Sequence, residues 1–137
     1  MPIAWRPAMA VGHEMIDRDH RGLIESINQV EAALLGEGTA AALAGVLDGL
    51  GDYTKAHFER EEGLMNALGY YRAAEHRESH RRLRAQLLEI RKAVQSAKAD
   101  EVGPAERERL VALLRSWLLD HVLKEDLLMR AVLSDRR

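Results

Sequence analysis

The chain has 137 residues, 47% of them apolar, enough for one packed domain and hardly for two. Lys and Arg number 20 against 22 Asp and Glu, and a net charge of -2 gives no electrostatic case for nucleic acid or an anionic membrane. Cysteine is absent, which excludes disulfides, thiolate zinc sites, iron–sulfur clusters and cysteine nucleophiles. The apolar segments are broken by charges well short of a membrane span, and the N-terminus does not read as a signal peptide. The expected location is therefore the cytoplasm.

The first dozen residues, MPIAWRPAMAVG, hold two of the three prolines and no period, so they read as an extended arm, about 1–15. A helical pattern follows, with Asp17 as its expected N-cap. Ile16, His20, Leu23, Ile27, Val30 and Leu34 recur at three and four along one face, which runs out near Gly36 and Gly38. Thr39 is placed to cap a second helix. Its inner face carries Leu43, Val46, Leu47, Leu50, His57, Glu61, Leu64, Met65 and Leu68, and Gly69 ends it. Gly45, Gly49 and Gly51 weaken its first half and leave room for a closely packed neighbour.

The third helix has the cleanest period: His76, His80, Leu83, Leu87, Ile90, Val94. The arginines around that stripe read as a solvated face. Gly103-Pro104 breaks the chain, and Pro104 suits the first turn of a fourth helix lined by Leu110, Leu114, Trp117, His121, Leu128 and Val132. Nothing suggests a strand. The expected fold is all-α: an antiparallel up-down-up-down four-helix bundle with an extended N-terminal arm, one domain over 1–137.

Five of the six histidines fall on these inward stripes: His20, His57, His76, His80 and His121. One histidine on an apolar face is ordinarily a satisfied core residue. Five buried imidazoles without partners would each leave polar nitrogens unpaired, at about 1–3 kcal/mol apiece, and a metal removes that penalty by accepting their lone pairs. His76 and His80 stand one turn apart, so both can bind one ion, and His57 and Glu61 share that spacing. An inward carboxylate such as Glu61 is rarely buried unless paired or bound to metal. His121 lies close to both Glu125 and Asp126. His13, outside every stripe, reads as a loop residue, and Met9, Met15, Met65 and Met129 as core filler.

Tetrahedral zinc uses four ligands, fewer than this inventory supplies. Five histidines, two bridging carboxylates and a solvent bridge fill two ions, one six-coordinate and one open. Sulfur-free, nitrogen-rich ligation suits iron, copper, zinc or nickel, and bridging carboxylates in a four-helix bundle favour iron. Oxidative di-iron proteins of this architecture carry Glu-x-x-His on two helices, a motif absent here; the His-Glu-x-x-His zinc motif is absent too. Neutral imidazoles donate less charge than carboxylates and stabilise the diferrous state, which favours binding O₂ over activating it.

With these residues in view, the chain resembles the hemerythrin family, specifically its single-domain bacterial members. The matching segments are Trp5, then VGHEMIDRDH, HFEREEGLM, HRESH and WLLDHVLKED, spanning residues 5 to 126. The resemblance implies a non-haem, oxo- or hydroxo-bridged centre of two iron ions. His76, His80 and His121 would hold one iron, His20 and His57 the open one, with Glu61 and Asp126 bridging. The family pattern thus selects Asp126 over Glu125, although ideal helical geometry from His121 prefers Glu125. Three positions depart from the pattern: Asp19 stands where a glutamine is usual, Tyr70-Tyr71 where Tyr-Pro is usual, and Asp126-Leu127 where Asp-Lys is usual.

The implied activity is reversible O₂ binding, as carrier, store or sensor, and not catalysis. Leu23, Phe58, Trp117 and Leu118 are expected to cover the open iron and keep water out. O₂ is the expected partner, and such a centre is compatible with a redox partner protein. The alternatives are a peroxidase or a nitric oxide or peroxide scavenger on the same centre, a sensor module with the metal as switch, and an iron store requiring a cage-forming oligomer.

Overall fold

The computed structural model describes residues 2–36, 40–96 and 103–134. Three long helices come first: α1 (Glu14–Leu35), α2 (Ala40–Leu68) and α3 (Ala73–Ser96). A fourth rod is assembled from α4 (Pro104–Ser116), a π-helical stretch (Trp117–Val122) and the short α5 (Leu123–Leu127), with α6 (Arg130–Ser134) beyond it. No strand occurs among the described residues. No helix there is long and apolar enough to cross a membrane.

Cross-helix bonds show how the rods run. Late α2 meets early α1 through His57 and Asp19, and early α3 meets late α2 through His76 and Glu61. Arg91 near the end of α3 pairs with Asp48 near the start of α2. Arg107 and Arg115 of α4 reach the carbonyl of Leu34 and the carboxylate of Glu31, late in α1. Trp117 Nε1 donates to Leu83 O of α3. Each rod is thus antiparallel to its neighbours, the up-down-up-down arrangement expected from four amphipathic helices.

The inward stripes of the first three helices match the sequence pattern. Ile16, His20, Leu23, Ile27, Val30 and Leu34 are all buried, and so are His76, His80, Leu83, Leu87, Ile90 and Val94. The fourth rod differs. Leu110, Leu114 and Trp117 point inward as expected, but the buried residues that follow are Leu118, Val122, Leu123, Asp126, Met129 and Leu133. Leu128 is 58% exposed, His121 leaves the core face, and Val132 is only half-buried at the edge of the smaller apolar cluster. The cause is the π-helical stretch. It takes more residues per turn than an α-helix and slips the inward face by one position.

Other expectations are corrected locally. α1 begins at Glu14, not after Asp17. His13 is its N-cap, its side chain accepting the Ile16 amide, while Asp17 accepts the amide of Val11. Thr39 and Gly38 lie outside the described residues. Gly45, Gly49 and Gly51 do not permit a close neighbour, since a Cβ at any of them would meet nothing within 4 Å. The close approach is at Gly22, where a Cβ would fall 1.9 Å from the Tyr53 hydroxyl oxygen. Gly69 ends α2 as expected: its φ of 64° is left-handed, and the next amide, Tyr70 N, returns to Met65 O.

The arm is ordered against the bundle. Ile3 exchanges two hydrogen bonds with the Asn28 side chain, and the Arg21 guanidinium lies 5.2 Å from the centre of the Trp5 ring. Arg130 donates to Ala8 O and Ala10 O, tying arm to C-terminus.

Candidate metal centre

The antiparallel order sets the start of α1, the end of α2, the start of α3 and α5 at one level of the bundle. Each contributes polar side chains to a largely apolar interior. His20, His57, Glu61, His76, His80 and Asp126 meet there, and all six are buried. They form two groups whose ligand atoms lie within 4.8 Å of one another: His20, His57, Glu61 and Asp126 in the first, Glu61, His76, His80 and Asp126 in the second. The two carboxylates belong to both.

The oxygens of each carboxylate are divided between the groups. Glu61 Oε1 lies 2.9 Å from His76 Nε2 and 3.0 Å from His80 Nε2, whereas Oε2 lies 3.0 Å from His57 Nε2 and 3.8 Å from His20 Nε2. Asp126 Oδ1 faces His76 Nε2 at 2.9 Å, and Oδ2 faces His20 Nε2 at 2.6 Å and His57 Nε2 at 3.2 Å. Four imidazoles therefore aim the same nitrogen at one small volume. Glu61 Oε2 is close to His57 but off any hydrogen-bond direction, so it keeps a buried lone pair turned into the site. Buried donors of this kind fit metal ions better than they fit one another.

The electrostatics reflect that crowding. Burial alone would lower the His57 pKa, but hydrogen bonds to Asp126, Asp19 and Glu61 outweigh it and carry it to about 12. His76 rises to about 10 and His20 to about 8, in each case with the site carboxylates overcoming burial. Burial would raise the Glu61 carboxyl, yet its hydrogen-bonded neighbours hold it well below the usual carboxylate range. Without metal, these shifts favour protons where cations would sit.

His121 is not brought into the cluster. It lies on the exposed face of the fourth rod, beside a shallow recess of about 290 Å³ that Ile90, Leu113 and Trp117 help to line. His121 lies within the wide turn near its end, and the Leu123–Leu127 stretch that follows is α-helical, so Asp126 and His121 point to different faces. Asp126, not Glu125, enters the cluster; Glu125 is half-buried and accepts the Ser79 hydroxyl. Leu23, Phe58, Trp117 and Leu118 are all buried in the main core, and the Phe58 ring stacks on His80 at 3.8 Å.

Two residues escaped the sequence reading. His57 Nδ1 donates to Asp19 Oδ2 at 2.9 Å, and His80 Nδ1 donates to Glu62 Oε2 at 2.8 Å. Asp19 had drawn notice only as a departure from a pattern. The available signal was an acid directly beside a predicted ligand, which chain position alone does not aim at a second helix.

Buried imidazoles and shared carboxylates inside an antiparallel helical bundle define a metal-binding four-helix-bundle protein. Comparison with known proteins then narrows the class. The family model described as the hemerythrin HHE cation-binding domain matches residues 11–133. Bacteriohemerythrin of Pseudomonas aeruginosa is 32% identical over 90% of this chain and 76% of its own length. Myohemerythrin-1 of Phascolopsis gouldii is 24% identical over 91% of this chain and 89% of its own. A solved structure of a hemerythrin variant superposes with a TM-score of 0.81, at 24% identity over 98% of this chain and 99% of that one. The chain belongs to the hemerythrin family. It is accordingly an oxygen-binding, metal-binding four-helix bundle.

Proposed function

We propose that this chain binds O₂ reversibly at two iron ions, held by His20, His57, Glu61, His76, His80, His121 and Asp126. The division of the Glu61 and Asp126 oxygens between two histidine pairs is the observation that supports this most, because a carboxylate spanning two ions needs one oxygen on each. The iron pair, when bound, supplies the electrons that O₂ draws on. His76 and His80 would hold one ion, and His20 and His57 the other, the one expected to take O₂. The imidazoles must release their protons to bind, so loading competes with acid. His121 enters this reading as the seventh ligand, which requires the helix between His121 and Asp126 to widen.

The test is metal analysis of the purified, iron-reconstituted chain, with spectra of the reduced form before and after air. Two irons per chain and a visible band that follows O₂ are expected. One metal at saturation, or zinc alone with no O₂-dependent band, overturns the reading. His121→Ala, measured in parallel, should hold less than two irons; if it keeps both with an unchanged spectrum, six residues suffice and the seventh role falls.

Leu23, Phe58, Trp117 and Leu118 would keep water from the ion expected to take O₂. Leu118 is fully buried one turn before Val122, on the face that carries Asp126. Leu118→Ala should retain both irons, autoxidise faster and lose about 2–5 kcal/mol of stability as a core truncation. An unchanged lifetime of the oxygenated form in a folded, fully loaded variant would reduce Leu118 to packing.

A further inference from the structure

We propose that Asp19, clamped by Arg60, is a positioning residue that makes the two halves of the centre unequal. This rests on the two-iron reading above. Asp19 is 5% exposed and faces α2 from the second turn of α1. Its Oδ2 accepts His57 Nδ1–H at 2.9 Å and Arg60 Nε–H at 2.8 Å, and its Oδ1 accepts Arg60 Nη2–H at 2.7 Å. Arg60 stands three residues after His57, so ligand and clamp come from adjacent turns of one helix and the carboxylate from another.

The consequence for His57 is geometric first. With Nδ1–H committed to Asp19, Nε2 is the nitrogen left for the site, and the ring cannot swing about its Cβ–Cγ bond without breaking that bond. It is electronic second, because a carboxylate on Nδ1–H makes Nε2 a stronger donor. Among the described residues, His80 also has a carboxylate on Nδ1, but not a buried one clamped by an arginine. His20 Nδ1 is buried and has no partner, and the acceptor for His80, Glu62, is 35% exposed at its side chain and competes with water. The strong support thus falls on the His20–His57 side, the side expected to take O₂.

The experiment is an anaerobic Fe²⁺ titration of the metal-free chain with chelator competition, followed by the midpoint potential of the loaded protein. Asp19→Ala should weaken one of the two sites about 10–100-fold and leave the other near its wild-type affinity. Asp19→Asn, whose amide oxygen still accepts Nδ1–H, should hold both ions but raise the potential, since a weaker donor stabilises ferric iron less. Arg60→Gln should lower it, because Asp19 keeps its charge and loses the competing cation. Equal loss at both sites in Asp19→Ala, or no loss, overturns the proposal, as does an unchanged potential in Asp19→Asn. If Asp19→Ala does not fold, the other two variants decide. A wild-type chain that takes up fewer than two irons fails the underlying reading instead, and the same titration shows it.

Discussion

Asp126→Ala should hold at most one iron per chain, whereas Glu125→Ala should hold two. The neighbouring acids differ by one position and by everything around them. Asp126 is 1% exposed and touches histidines from α1, α2 and α3, so its loss removes a shared ligand and the acceptor for three imidazoles. Glu125 accepts from Ser79 at the margin. In the metal-free chain, Asp126→Ala should also cost about 3–5 kcal/mol, as breaking a buried charged pair does. Iron analysis and denaturant unfolding check both halves. Metal lost from Glu125→Ala and kept by Asp126→Ala would reverse the assignment.

Metal-free protein should lose stability steeply as pH rises from 6.5, while iron-loaded protein should not. His57, His76 and His20 have folded pKa values of about 12, 10 and 8 against an ordinary 6.5. Each is raised, so its contribution is complete below pH 6.5 and disappears as pH climbs through the folded value. Over that interval the folded state holds the extra proton, and each such histidine costs up to about 1.4 kcal/mol per pH unit. Between pH 6.5 and 8 all three act together. Glu61 has the opposite sign: its carboxyl is depressed, so its share is present above the ordinary carboxylate range and lost in acid. Iron replaces the protons, so loading should abolish the alkaline decline. Denaturant midpoints at pH 6.5 and 8, with and without iron, measure this. A metal-free chain equally stable at both pH values would show that protons do not hold the empty site together.

Three of the four inward faces were legible because α1, α2 and α3 keep a regular helical period past their ligands. His20, His57, Glu61, His76 and His80 could be placed from that period alone. The fourth face was legible only as far as Trp117. Any reading with one fixed angle per residue carries the stripe on to His121 and Leu128, and the wide turn at Trp117–Val122 leaves no mark in composition. The same slip explains why ideal spacing favoured Glu125 while Asp126 lies inside. Asp19 and Glu62 stayed hidden for another reason. Their work is done by side-chain direction across helices, and periodicity reports which face a residue occupies, not which atom it meets.

The metal level also divides the apolar interior. Below it lies a small cluster of Val11, Ile16, Met65, Tyr70, Met129 and Leu133, and above it the long main core from Leu23 to Leu110. The lower cluster draws on the arm through Val11 and on α6 through Leu133. Opening free energies need not be uniform in such a molecule. The two apolar halves communicate through six polar side chains, so the strength of that layer decides whether they open separately or as a unit. An ion pair bound across the layer acts as a rivet: it makes the fraying end share the cooperativity of the whole bundle.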